Sequence, residues 1–152
     1  MTDKKLFAAV YLTAAGSFAI DFLTKRYALS HSVFISANSG ISFGFFAGKN
    51  CAVPAFSFIA LLFIFTFVLY FCKQQAKTES LASALMFGGA LGNLYDRLTC
   101  GSVVDWFSAP FASEILKHKL FMNTADVFII AGFAILTLSF LRKTAGHSKK
   151  QK

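Results

Sequence analysis

Charge is scarce in this chain. Only 14% of its 152 residues are charged and 56% are hydrophobic, where a soluble domain carries ~25% charged and about 45–50% apolar residues. That balance excludes a disordered chain and argues against an ordinary water-soluble enzyme. Acids are scarcest: Asp3, Asp21, Glu79, Asp96, Asp105, Glu114 and Asp126 are the whole set. Cysteine is limited to Cys51, Cys72 and Cys100. Their odd number and lack of metal-like spacing exclude a disulfide scaffold. The histidines, His31, His118 and His147, are scattered, and no HExxH is present, so a zinc membrane protease is disfavoured. No GxSxG nucleophile turn occurs either.

What the chain has in abundance is apolar sequence, with 20 Phe residues. A helix needs ~20 mostly apolar residues to cross a bilayer core of about 30 Å. Four such spans are expected, over residues 6–24, 51–72, 80–96 and 120–141. The expected class is an all-α membrane protein, one domain over residues 1–152, with a small extracytoplasmic β-hairpin or sheet and an outer loop. The first span has a competing reading. Lys4 and Lys5, the apolar run 6–15 and the small Gly16 and Ser17 also suit a secretory signal peptide. Continuation of the pattern through residues 21–25 favours a retained helix.

The net charge of +8 is explained by placement rather than by nucleic acid. Lys4, Lys5, Lys73, Lys77, Arg142, Lys143, Lys149, Lys150 and Lys152 fall on one side of a four-span chain, and Lys25, Arg26, Lys49, Arg97, Lys117 and Lys119 on the other. The positive-inside bias puts both termini in the cytoplasm, against anionic headgroups. No basic face carries interleaved aromatics, so no nucleic-acid partner is expected.

Two loops then lie on the outer side. Ile41, Phe43 and Phe45 alternate with Ser42 and Gly44 after Asn38-Ser39-Gly40, a period of two that suggests a short β-hairpin or curved strand pair over residues 33–45. The second loop, residues 98–119, brings Trp106, Phe107 and Phe111 to an interfacial aromatic belt. Cys51 and Cys100 share that side; a disulfide between them or two free thiols both fit.

The acids carry the functional argument. An Asp near the bilayer centre costs about 2.5–3.5 kcal/mol and so usually marks function or pairing. In this topology Asp21, Asp96 and Asp126 sit at outer helix ends and Asp105 in the outer loop. Asn93 precedes Asp96, and Asn123 precedes Asp126, at the same N-x-x-D spacing. Residues three apart share a helix face, where an amide can donate to a carboxylate. Two carboxylates ~3 Å apart share one proton. The ionised member then takes a proton from water, while its partner polarises a carbonyl and protonates the leaving amine. That is the chemistry of an aspartic peptidase. The plainer reading is an ion pair or helix cap for each acid, Asp96 with Arg97 and Asp21 with Lys25 at i,i+4. For Asp21 the ion pair is favoured; for Asp96 and Asp126 the repeated motif favours catalysis. Ala84, Gly88 and Gly92 form a small-residue stripe suited to helix packing, or to a wall for a substrate segment. A proton-coupled transporter would need acids along a path through the membrane, and a presenilin-type protease a Gly-x-Gly-Asp motif that is absent.

Together these motifs resemble the bacterial lipoprotein signal peptidase family, signal peptidase II. The match lies in Asp21-Phe22-Leu23-Thr24-Lys25, Asn38-Ser39-Gly40-Ile41-Ser42-Phe43, Gly88-Gly89-Ala90-Leu91-Gly92-Asn93-Leu94-Tyr95-Asp96-Arg97, Val103-Val104-Asp105-Trp106 and Asn123-Thr124-Ala125-Asp126. Met122 and Trp106 stand where Phe is common in the family. The resemblance implies an inner-membrane aspartic endopeptidase without metal or cofactor, with its site on the outer face. Its substrates would be prolipoproteins, cut just before a diacylglyceryl-modified cysteine. Asp96 and Asp126 match the catalytic pair, and Asn93, Arg97 and Asn123 the polar shell. Asn38, Gly40 and Phe43 match a substrate-enclosing strand, Asp21 and Lys25 a supporting pair, and Asp105 a further supporting position. Membrane lipids and globomycin-like cyclic peptide inhibitors are the other implied partners.

Overall fold

Long helices form where the apolar runs are. The computed structural model describes residues 3–31, 35–40, 52–110, 113–114 and 120–150. Among these, the long helices are α1 (Asp3–Ser30), α2 (Ala52–Lys73), α3 (Lys77–Cys100) and α4 (Thr124–Lys150). Short strands β1 (Ser36–Asn38), β2 (Val103–Asp105), β3 (Phe107–Ser108) and β4 (Phe121–Met122) lie between them. Three helical stretches among the described residues are long and apolar enough to cross a membrane: Lys4–Ser30, Ala52–Lys73 and Thr124–Ala145. α3 has 24 residues, about 36 Å of helix, but carries Lys77, Glu79, Asp96 and Arg97.

That charge is tolerable because α3 is the axis of the bundle, packed against α1, α2 and α4. Its buried side chains include Glu79, Ser80, Ser83, Asn93 and Asp96. The other helices turn large apolar side chains outward, among them Leu12, Leu23, Ile59, Phe63, Phe133 and Leu138. Such surface is costly in water and at ease in lipid.

Close packing on α3 depends on the small-residue stripe. Ala84 joins Leu6, Val10, Val68 and Cys72 in one apolar core. A Cβ on Gly88 would sit 2.3 Å from the Ala14 carbonyl oxygen, and one on Gly92 would sit 2.4 Å from Asp21 Oδ2. The stripe is thus the seat of α1. Gly89 does the same for α4, where a Cβ would lie 2.6 Å from the Ala125 carbonyl oxygen.

Several boundaries differ from expectation. α3 runs one turn past Asp96 and ends at Gly101, whose left-handed backbone (φ 74°) suits glycine. Asp96 is therefore inside the helix, not at its end. α4 starts at Thr124, and residues 121–122 form β4, antiparallel to β3. Of the β segment expected over residues 33–45, the described part forms β1, and its partner is β2 from the second loop, Ser36 opposite Asp105 and Asn38 opposite Val103. Residues 41–45, and Phe43 and Cys51 with them, lie outside the described residues. Cys100 is an exposed free thiol and Cys72 a buried one.

Candidate active site

The start of α4 explains the second N-x-x-D unit. A helix N-terminus leaves backbone N–H groups without partners. Asn123 caps α4: its Oδ1 accepts the Asp126 N–H at 3.0 Å, and its own N–H donates to Asp126 Oδ2 at 3.2 Å. This reciprocal pair is a capping box with Asp in the Glu position. The Ala125 N–H donates to Asp21 Oδ1 on α1 at 2.8 Å.

The first N-x-x-D unit works differently. Asn93 does not serve Asp96. Its Nδ2 crosses to α4 and donates to Asp126 Oδ1 at 2.9 Å. Asp96 is held by Lys25, whose ammonium lies 2.9 Å from Asp96 Oδ2 and 2.7 Å from Asp21 Oδ2. The third Lys25 bond goes to Asn93 Oδ1 at 3.0 Å. All three ammonium donors are used. The i,i+4 pair of Asp21 and Lys25 is present as expected, while the cation beside Asp96 is Lys25 rather than Arg97. Asp96 Oδ2 also accepts the Val104 N–H at 3.3 Å, tying α3 to β2.

Asp105 enters this network from β2 and is only 2% exposed. Its Oδ1 accepts Asn123 Nδ2 at 2.7 Å and its Oδ2 accepts Asn38 Nδ2 at 3.2 Å. Asn123 Nδ2 also reaches Asn93 Oδ1 at 3.1 Å. Arg97 anchors the neighbouring turn: Nη2 donates to the Gly40 carbonyl at 2.9 Å, and the Gly40 N–H donates to Asn38 Oδ1 at 3.1 Å. Its charge faces Asp126, Asp105 and Asp96. Burial pushes the Asp105 carboxyl up to about 6, and the negative charge of Asp126 adds to the rise. The two amide donors and the Lys25 charge oppose it.

A cavity of about 630 Å³ opens beside this cluster. Asp105, Asp126, Asn93, Arg97 and Asn38 line its polar end. Ala60 and Ile64 of α2, Ala90 of α3, and Ile129 and Ile130 of α4 line its apolar part. Asp96, Asp21 and Lys25 lie behind this wall, not on it. Sequence reasoning placed Asp105 among supporting residues and missed the apolar lining. Ile129 and Ile130 follow Asp126 at i+3 and i+4, a spacing that puts them on its helix face. Among the described residues, no group of three His, Cys, Asp or Glu is arranged to hold a metal ion.

Known proteins resemble this chain in sequence and in fold. A family model described as "Signal peptidase (SPase) II" matches residues 13–142. A lipoprotein signal peptidase of Pasteurella multocida (strain Pm70) is 31% identical, covering 100% of this chain and 99% of that protein. One from Serratia proteamaculans (strain 568) is 34% identical, covering 86% of this chain and 70% of that protein. A solved structure described as a bacterial membrane enzyme superposes with a TM-score of 0.74 at 25% identity, covering 91% of each chain. The chain belongs to the signal peptidase II family and is a peptidase.

Proposed function

We propose that this chain is an aspartic endopeptidase that removes signal peptides from diacylglyceryl-modified prolipoproteins, cutting just before the lipidated cysteine. The carrying observation is that Asp105 and Asp126 line one cavity and are both hydrogen-bonded by Asn123. Asp126 keeps the catalytic role expected for it. Asp105 is the better partner than Asp96, because Asp96 faces Lys25 behind the cavity wall.

The chemistry follows from the charge balance. Among the described residues, Asp21, Asp96, Asp105 and Asp126 share two cations in this cluster, Lys25 and Arg97. One proton shared by Asp105 and Asp126 reduces the excess of negative charge. Burial and the neighbouring Asp126 charge raise the Asp105 carboxyl, which favours Asp105 as the member that holds it. Asp126 draws a proton from water as that water attacks the scissile carbonyl. Asp105 donates its proton to the carbonyl oxygen and recovers it as the tetrahedral intermediate collapses, while the proton taken up by Asp126 passes to the departing amine. Asn93 and Asn123 hold Asp126 in position throughout.

The apolar part of the cavity suits a signal peptide's hydrophobic segment, and a cyclic peptide inhibitor of the globomycin type would compete for the same volume. The lipid chains of the substrate remain in the bilayer beside the helices. α3 is the fourth span, its charges shielded by α1, α2 and α4. The termini are cytoplasmic and the site faces outward, which puts the scissile bond at headgroup depth, where water reaches it.

The test is cleavage of a diacylglyceryl-modified precursor by the purified protein in lipid. Asp105→Asn and Asp126→Asn are expected to abolish it with the fold intact. Full activity in either would overturn the pair, and equal cleavage of an unlipidated precursor would overturn the substrate. A proton-coupled transporter is disfavoured because Asp21, Asp96, Asp105 and Asp126 gather in one cluster, while another buried acid, Glu79, is paired with Lys143 and Ser139.

A further inference from the structure

A hydroxyl pair links α1 to the first turn of α4. Thr24 Oγ1 and Thr124 Oγ1 lie 2.8 Å apart, across 100 residues of chain. Thr24 Oγ1 is also 2.9 Å from the Ile20 carbonyl and 3.0 Å from the Asp21 carbonyl, both acceptors. The one Thr24 hydroxyl proton is spent on its own helix, so Thr124 is the donor between the two threonines.

Thr124 is the first residue of α4 and Asp126 the third. At ~100° per residue they project from opposite sides of the helix. Thr124 faces α1 and Asp126 faces the cavity. The neighbouring Ala125 N–H is fixed to α1 as well, through Asp21. α1 therefore holds the first turn of α4 at two successive residues. A turn of that helix by ~20° about its axis, at a side-chain radius of ~5 Å, carries the Asp126 carboxylate through roughly 1.7 Å. That exceeds the tolerance of a hydrogen bond.

We infer that Thr24 and Thr124 are positioning residues that set the rotation of the α4 first turn, and so aim Asp126 at the scissile bond. The inference rests on Asp126 being catalytic. The Asn93 and Asn123 bonds fix the carboxylate relative to α3 and the cap; the threonine pair fixes the cap relative to α1.

The experiment compares Thr124→Val, Thr124→Ser, Thr24→Val and the Thr24→Val/Thr124→Val double variant, with Asp126→Asn alongside. The probe is steady-state cleavage of a diacylglyceryl-modified precursor, with thermal unfolding measured on the same samples. Thr124→Val keeps the shape and removes the hydroxyl. It is expected to lower kcat roughly tenfold with KM within about twofold. Thr124→Ser restores kcat. The double variant loses no more than either single one, because the two hydroxyls act as a unit. Parental kcat in Thr124→Val beside an inactive Asp126→Asn overturns the inference alone. Additive losses in the double variant, a change confined to KM, or a kcat loss matched by lost folded protein also overturn it. Retained activity in Asp126→Asn overturns both the inference and the catalytic reading beneath it.

Discussion

Asp105 and Asp126 are bound by the same residue: Asn123 donates to Asp105 from its side chain at 2.7 Å and to Asp126 from its backbone at 3.2 Å. One lies on β2 and the other on α4. Asn123 is fully buried, so the amide has no solvent alternative, and its geometry is set by the helix cap. The cap thus serves two ends at once. It starts α4, and it registers a loop carboxylate against a helix carboxylate.

Substitution separates the two roles of the acids. Asp105→Asn and Asp126→Asn each preserve side-chain volume and remove an ionisable group. Each is expected to lower kcat on the order of 10²–10⁴-fold, read in a precursor-cleavage assay. Asp96→Asn instead weakens the Lys25 ion pair. Its expected signature is a lower thermal midpoint, with a cost of about 1–3 kcal/mol. An unchanged midpoint together with lost cleavage would return Asp96 to the catalytic pair.

Stability should depend on pH through Asp105. Its carboxyl is pushed up to about 6 in the fold, from an ordinary 3.8. A raised value favours the folded state fully below about 3.8, and that contribution disappears as pH rises through about 6. Near 1.4 kcal/mol per unit, the change amounts to about 3 kcal/mol. Asp105→Asn cannot ionise. Unfolding followed from pH ~4 to ~7 should show the variant gaining on its parent over this interval; parallel curves would contradict the raised value.

Lys25 is 3% exposed and neutralises two buried carboxylates. Lys25→Met leaves Asp21 and Asp96 facing each other without a cation. The loss is expected to reach about 3–5 kcal/mol, the range for breaking a buried pair from one side. Poor recovery of folded protein from detergent and a lowered midpoint are the readouts. Asp21→Asn combined with Lys25→Met should recover part of the loss, since it removes one of the stranded charges.

Two glycines on neighbouring helices give an internal control for helix packing. Gly92→Ala drives a methyl to within 2.4 Å of Asp21 Oδ2, and overpacking of this kind costs about 1–3 kcal/mol. A methyl on Gly16 would meet nothing within 4 Å among the described residues. Gly16→Ala should be neutral or stabilising by up to about 1 kcal/mol, as for glycine in a helix interior. Thermal midpoints of the two variants should move apart; equal shifts would remove the packing role of the stripe.

Cys100 offers a test of sidedness. It is exposed, one turn beyond Asp96 on α3, whereas Cys72 is buried near the opposite end of the bundle. With Cys51 replaced by Ser, a membrane-impermeant maleimide added to intact spheroplasts should label Cys100. Labelling only after lysis would invert the proposed orientation.

The sequence by itself determined the membrane setting, because apolar runs of span length have no other stable home, and charge was rare enough to make each acid informative. It also determined that Asp21 and Lys25 pair, since i,i+4 neighbours meet on any helix. The matching of Asn93 with Asp96, by contrast, was a local rule applied where a long-range contact wins. Asn93 reaches across to Asp126 because α3 and α4 approach closely at Gly89, and Lys25 on α1 takes the place beside Asp96 because Gly92 lets that helix in. Asp105 sits in a short loop strand with no periodicity to mark it. Its place in the cavity depends on β1 pairing with β2 across 67 residues and on an amide from the α4 cap. Spacing along a chain fixes which side chains share a helix face; which carboxylates face each other is set by how helices and loop cross, and only the tertiary structure carries that.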